Sequence, residues 1–581
     1  MKKLLVYLKD YKRESVLAPL FKLLEAFFEL LVPLVMAGII DSGIENGDRG
    51  YILKMGLCLI VLAVVGLTAS VTAQFFAAKA AVGFSTKLRH AMFGYIQDLE
   101  FSDIDGAGTS TLITRMTSDI NQVQNGVNMV LRLFLRSPII VFGAMIMAFT
   151  IDVKCALVFV VAIPLLAIVV MGITFFTIPL YKKVQAGLDK VLSTTRENLT
   201  GVRVIRAFHR EAQEEEQFHE ENTSLLHLQQ FVGKISACMN PVTYVIVNVA
   251  IIVLIYTGAV QVNVGNLSRG EVVAIINYMS QVLVELVKLA NLIITITKAL
   301  ACADRVAAVF EIQGEEKALG MYAEAVSERR AQGEPYLVFD HVSLTYRGAG
   351  AETLKDIDLV VNQGETVGII GGTGSGKSSL VNLLPGFYPV TEGSVRLQGR
   401  DIKEIPVEEL RGRMGVVPQK AVLFKGTIRS NLLWGNPNAT DEELWQAVSL
   451  AQAKEVVEGK EGKLDAEIAQ NGRNLSGGQR QRLTIARALV RRPEILILDD
   501  SASALDYATD AKLRGALRDM EGSMTIFIVS QRASSIRHAD KIIVLDDGEM
   551  AGVGTHEELL ANCAVYQEIY YSQYPEERKQ A

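Results

Sequence analysis

Six long apolar stretches, all before about residue 300, constrain this chain more than any other feature. Lipid offers no partner to backbone N–H and C=O groups, so a segment crosses it as a helix of roughly 20 mainly apolar residues. Val16–Ile40, Ile52–Ala77, Val130–Thr150, Val153–Leu180, Pro241–Val262 and Glu271–Ile296 meet that requirement. Composition agrees: of 581 residues, 50% are hydrophobic and 21% charged, against about 25% charged in soluble domains. Several spans carry charges toward one end: Lys22, Glu25 and Glu29 in the first, Arg132 and Arg136 in the third, Glu285 and Lys288 in the sixth. Because membranes rarely bury charge, these ends read as helical stalks that leave the lipid, with pairing inside the membrane as the alternative.

Lys and Arg set the expected orientation. Lys2, Lys3, Lys9, Lys12 and Arg13 precede the first span, whereas Asp41–Gly50 after it holds three acids and one Arg. The polar stretches 78–128 and 181–240 are long and basic-rich, and 150–153 and 263–270 are short. The amino terminus, both long stretches and everything after the sixth span are therefore expected in the cytoplasm. The first apolar run lacks a small-residue cleavage pattern, so no removable signal is expected. A net charge of −6 gives no global basic field for nucleic acid. The five cysteines are scattered, with no CxxC or Cys/His cluster, which disfavours a disulfide framework or a zinc site.

The chain divides into an α-helical membrane domain over 1–310, a charged, Gly-containing linker over 311–334, and a second domain over 335–581. In the last, Leu337–Phe339, Ile357–Val361, Thr366–Ile370, Ile495–Leu498, Thr525–Val529 and Lys541–Leu545 alternate with helical stretches. That pattern predicts an α/β fold around a largely parallel sheet.

The chemistry begins after Thr366–Ile370. Gly371-Gly372-Thr373-Gly374-Ser375-Gly376-Lys377-Ser378 is a GxxxxGK[ST] motif between a strand and a helix, the context that a P-loop requires. Glycines let the backbone turn its N–H groups toward phosphate oxygens. Lys377 is expected at the β- and γ-phosphates and Ser378 on Mg²⁺. Ile495-Leu496-Ile497-Leu498-Asp499-Asp500 reads as a buried strand with two acids at its tip. Asp499 can hold Mg²⁺ through water, and Asp500 can orient or deprotonate an attacking water.

Further along, Leu475-Ser476-Gly477-Gly478-Gln479 is similar to the LSGGQ signature of ABC (ATP-binding cassette) ATPases. Gln419, after Val416-Val417-Pro418, resembles the family's Q-loop, and Ser503-Ala504-Leu505-Asp506 its D-loop. Tyr346 stands where the family stacks an aromatic ring on adenine. With six spans and a carboxy-terminal cassette, the whole chain resembles a half-size ABC exporter (type IV, multidrug kind). The resemblance implies ATP and Mg²⁺ as cofactors. It adds Ser379 to the nucleotide-binding residues and Gln419 to Ser378 and Asp499 as metal ligands. It also implies two cassettes closing head-to-tail on two ATPs, each held by one P-loop and the opposite chain's Ser476, Gly477, Gly478 and Gln479. Coupling helices near Phe101–Asp105 and His209–Glu215 would pass that motion to the membrane. The bland reading of the charged stretch from Glu197 to Glu221 is a solvated helix; the sharper one is a helix that carries this force. The expected setting is a bacterial cell membrane, with lipid around the chain and a small amphipathic compound as cargo. Phe27, Phe28, Phe134, Met145, Met147, Phe175, Phe176, Tyr244 and Asn248 are candidates for its path.

Two departures fall in one site. The family usually has Glu where this chain has Asp500, and a switch His where it has Gln531. An amide accepts and donates hydrogen bonds but does not titrate. Gln470, where exporters commonly carry Glu, is a smaller departure. A site that keeps its binding residues and loses two hydrolytic ones suggests the degenerate half of a heterodimer. The partner would be a second half-transporter chain with the missing Glu and His. A mainly regulatory ATP-holding subunit and an importer built on the exporter fold are the competing readings.

Overall fold

The computed structural model describes residues 2–312, 335–519 and 524–577. Most of the expected linker lies outside them. Two compact units emerge: Met1–Tyr95 with Ser110–Glu311, and Ile96–Thr109 with Ile312–Ala581.

In the first unit, six helical segments are long and apolar enough to cross a membrane: Leu4–Ile44, Arg49–Gln97, Thr109–Ile151, Val153–Ala207, Glu211–Val264 and Arg269–Val309. Each contains one of the expected spans. The long polar stretches are largely helical, because the helices run on past their apolar parts; Glu197–Ala207 ends one 55-residue helix. The third segment breaks at Phe134 and Leu135. Pro138 accounts for the break, since its ring lacks an N–H and clashes with the carbonyl four residues back.

Arg136 sits at that break, in an ionic cluster of the kind given above as the alternative to stalks. Its guanidinium donates to Glu285 at 2.6 Å and to Glu29 at 2.7 Å, joining three helices. Ser137 and Lys288 also donate to Glu285, both at 2.8 Å. Lys22 donates to Glu25 at 2.5 Å and to Ser70 at 3.1 Å. The Arg136 and Glu285 side chains are only 8% and 3% exposed. Arg136 begins the 16-residue helix Arg136–Ile151, ~22 Å along its axis from Ile151. Arg136 meets Glu285 and Glu29 on neighbouring helices, whereas Lys22 and Lys288 pair with Glu25 and Glu285 three residues along their own helices, and opposite charge offsets the cost of burying each. Of the path candidates, Met145 and Met147 pack against the buried core, while Phe27, Phe134, Phe175, Phe176 and Tyr244 are exposed on this chain.

The second unit has a six-stranded sheet in the order Glu549–Gly554, Lys541–Asp546, Thr366–Gly371, Thr525–Val529, Ile495–Asp499, Met414–Val417. All neighbours are parallel except the first pair. Alternate residues enter two separate cores: Ile370, Leu496, Leu498, Ile526 and Ile528 on one face, Ile369, Ile495, Ile497, Phe527 and Val529 on the other. Burial on both faces explains why these strands read as unbroken apolar runs. A separate antiparallel sheet, Leu354–Val361, Leu337–Leu344, Glu392–Leu397 and Arg400–Asp401, was not expected from the sequence. The register pairs Val529 with Asp499 on one side and Ile369 on the other. The ends of the P-loop strand and the acidic strand therefore flank one common neighbour.

Candidate functional site

Beyond that edge lies a cavity of about 330 Å³ lined by Thr353, Thr373, Gly374, Gly376, Lys377, Ser378, Ser379, Gln419, Asp499, Asp500, Val529 and Gln531. Residues more than 150 positions apart meet there because parallel strands deliver their carboxyl ends to one rim. Gly374 and Gly376 adopt φ of +87° and +92°. At Gly376 a Cβ would lie 2.7 Å from the Leu354 side chain and 2.9 Å from the Thr353 carbonyl, so only glycine fits both the turn and the space.

Lys377 is buried and donates to the Gly371 carbonyl at 3.0 Å, to the Gly372 carbonyl and to Ser375 Oγ at 3.3 Å. Burial lowers its pKa, and Asp500 and Asp499 oppose that shift. Ser378 Oγ donates to Asp499 Oδ1 at 2.9 Å. Burial raises the Asp499 carboxyl above its ordinary range, with Ser378 pulling it back and Asp500 pushing it further up. Burial also raises Asp500, offset by a hydrogen bond from Gln419 and by the Lys377 and Arg532 charges. Two adjacent carboxylates disfavoured in their charged form, with a hydroxyl already on one of them, are a hard-oxygen donor set suited to Mg²⁺.

Asp500 turns the chain at the strand end with φ of 43°, a conformation Asp tolerates better than most residues. Its N–H donates to the Val529 carbonyl at 3.0 Å, which binds the acidic turn to the switch strand. Gln531 is exposed at the rim, its carbonyl accepting from Gln573 Nε2 at 2.8 Å. Gln573 Oε1 in turn accepts from the Ala533 N–H at 3.0 Å. The carboxy-terminal helix thus fixes the switch, a role nothing around Gln573 in sequence signals. Arg532 donates to the carbonyls of Leu505 and Ser503 at 3.4 Å each and lies over the Tyr507 ring, linking the switch to Ser503–Asp506.

Ser476 caps the 14-residue helix Gly477–Val490: its Oγ accepts from the Gln479 N–H, and Gln479 Oε1 accepts from the Ser476 N–H at 3.0 Å. Ser476 and Gly477 are exposed, and none of Ser476, Gly477, Gly478 and Gln479 lines the cavity. Tyr346 also stands outside the lining, but its hydroxyl donates to Ser379 Oγ at 2.9 Å.

This fold and rim define an ABC transporter, and the comparisons agree: residues 15–286 match the family described as ABC transporter transmembrane region and 354–503 the family described as ABC transporter. The chain belongs to the ABC transporter family. It is 36% identical over 577 residues, 99% of both chains, to the uncharacterized ABC transporter ATP-binding protein YfiB of Bacillus subtilis. It is 28% identical to the ATP-dependent lipid A-core flippase of Chromobacterium violaceum, over 99% of this chain and 97% of the relative. Its fold matches a bacterial Atm1-family ABC exporter with ATP bound, with a TM-score of 0.78 and 23% identity over 97% of this chain and 98% of the other. It is a half-size, multi-pass ABC transporter with the exporter fold, one membrane region followed by one ATPase region.

Proposed function

We propose that this chain is one subunit of a heterodimeric ATP-driven exporter, and that its own nucleotide site holds ATP and hydrolyses it slowly. One observation carries the reading: Asp500 and Gln531 line the same cavity as Lys377, Ser378 and Asp499. The departures sit at the hydrolytic positions and the binding residues are complete. Bound Mg²⁺ would supply charge neutralisation of the phosphates, held by Ser378, Asp499 and Gln419. Lys377 and the Gly371–Gly376 backbone orient the β- and γ-phosphates, and Tyr346 stacks the base. Asp500 is one methylene shorter than Glu, which leaves its carboxylate about 1.5 Å from where a general base acts, a displacement that costs about 10²-fold. Gln531 donates a hydrogen bond to the γ-phosphate without carrying charge.

The exposed start of the Gly477–Val490 helix suits a different task. Ser476 and the N–H groups of Gly477 and Gly478 form an anion site that completes a partner's competent site. The partner is a second half-transporter carrying the missing Glu and His. The cytoplasmic side holds the amino terminus and the ATPase region, as the Lys and Arg distribution supports. Amphipathic compounds are the cargo class, consistent with a lipid flippase among full-length relatives.

Single replacements in the assembled pair test this asymmetry. Lys377→Ala or Asp500→Asn lowers turnover less than Ser476→Arg or Gly477→Asp, which damage the partner's site. Loss of all transport on Asp500→Asn alone would overturn the reading.

A further inference from the structure

The short helix Phe101–Ala107 belongs to the same compact unit as the ATPase region. Three of its side chains grip two short segments there. The Phe101 ring lies 4.6 Å from that of Phe387. Asp103, whose side chain is 2% exposed, accepts from Arg347 Nη1 at 2.7 Å. Asp105 Oδ2 accepts from the Tyr388 hydroxyl at 2.8 Å. Arg347 adjoins Tyr346, and Tyr388 meets the Tyr346 ring edge-on, 4.9 Å between centroids at 90°. The Tyr346 hydroxyl then reaches Ser379 in the helix that follows the P-loop. An unbroken line of contacts thus runs from Asp105 through Tyr388 and Tyr346 to Ser379.

We propose that Tyr388 is a positioning residue for nucleotide base recognition: anchored by Asp105, it fixes the Tyr346 ring and ties base stacking to the Phe101–Ala107 helix. The inference rests on the reading of Tyr346 as the base platform. Edge-on packing restricts the Tyr346 ring by directing the positive edge of one ring at the negative face of the other. The charged acceptor makes the Tyr388–Asp105 hydrogen bond stronger than a neutral one. Burial, with Asp105 beside it, holds the Tyr388 phenol well above its ordinary range, so it remains the donor. Arg347–Asp103 braces the neighbouring residue from the same helix. Neither Tyr388 nor Asp105 lines the phosphate cavity. In this proposal they act on nucleotide through Tyr346, on the base side of that ring and not on the phosphates that Ser379 adjoins; by linkage whatever Asp105 does to base affinity, the bound base does to the helix.

The test compares Mg²⁺–ATP with Mg²⁺–tripolyphosphate, which has no base, as competitors of a fluorescent ATP analogue on the purified full chain in nanodiscs. Tyr388→Phe keeps the ring and removes the anchoring hydroxyl. It weakens ATP about 3- to 10-fold, the range of one lost hydrogen bond, and leaves tripolyphosphate at the wild-type value. Asp105→Ala, which removes the acceptor, does the same, and the double variant is no worse than either single one. The proposal is overturned if Tyr388→Phe leaves ATP unchanged, if it weakens both ligands equally, or if the two replacements add. Tyr346→Ala separates the two levels: it weakens ATP and spares tripolyphosphate if the platform reading holds. If Tyr346→Ala spares ATP, the platform fails and the relay falls with it; if only Tyr388→Phe is silent, the relay alone is wrong.

Discussion

Under the proposed function, Asp500→Glu with Gln531→His should turn a slow site into a working one. The backbone at both positions is already fixed: the Asp500 N–H is bonded to Val529 at 3.0 Å, and the Gln531 carbonyl to Gln573 at 2.8 Å. The replacements therefore alter side-chain reach and charge without asking the loops to move. One added methylene carries the carboxylate about 1.5 Å further into the cavity, and placement on that scale is worth about 10²-fold, equivalent to ~2.7 kcal/mol of barrier. The assay is steady-state ATP turnover by the assembled pair, with the partner's own catalytic Glu changed to Gln so that only this site reports. Turnover in that background should rise about 100-fold with the double replacement. A rise below about threefold, with ATP binding intact, would refute the claim that Asp500 and Gln531 limit the site.

Arg136→Met should lower stability by about 3 kcal/mol, because it leaves buried Glu285 short of a partner; adding Glu285→Leu should recover part of the loss. Detergent-phase thermal unfolding checks both, and a wild-type midpoint for Arg136→Met would show that the ionic cluster carries no weight. The raised carboxyls of Asp499 and Asp500 fix the sign of a pH effect. Between the unfolded value near 4 and the raised native value, the folded state binds more protons, so stability falls as pH rises through that window and the penalty is full above it. Asp500→Asn should therefore raise the melting temperature of the nucleotide-free protein at neutral pH, with the gain vanishing below about pH 4. A gain that persists in acid would point to packing instead. Gln573→Ala should free the switch loop and speed amide exchange at Arg532 and Ala533, whose neighbours it holds; unchanged protection there would remove Gln573 from the site.

The six spans and the P-loop were legible because each is local: an apolar run, or a glycine pattern between a strand and a helix. Asp499 and Asp500 were legible as two acids at the tip of an apolar strand, Gln419 and Gln531 only through motif resemblance, and the sheet explains why residues so far apart meet. The ionic cluster was not legible, for a physical reason. Glu29, Arg136 and Glu285 each look costly alone, and only the packing of three helices shows them paired. Leu337–Phe339 and Ile357–Val361 were legible as strands, but not their pairing in a separate antiparallel sheet, because which strands pair is decided by contacts far apart in sequence such as Leu337 with Leu397. Gln573 and Tyr388 left no local mark, since each acts on a residue more than 40 positions away.

The most direct measurement is the ATP turnover of this chain purified alone, set beside the same chain assembled with a partner that supplies Glu and His. Slow hydrolysis by the single chain, with at least a 100-fold increase on assembly, is the predicted result. Equal, rapid turnover by both preparations would contradict it and make this protein a self-sufficient homodimer.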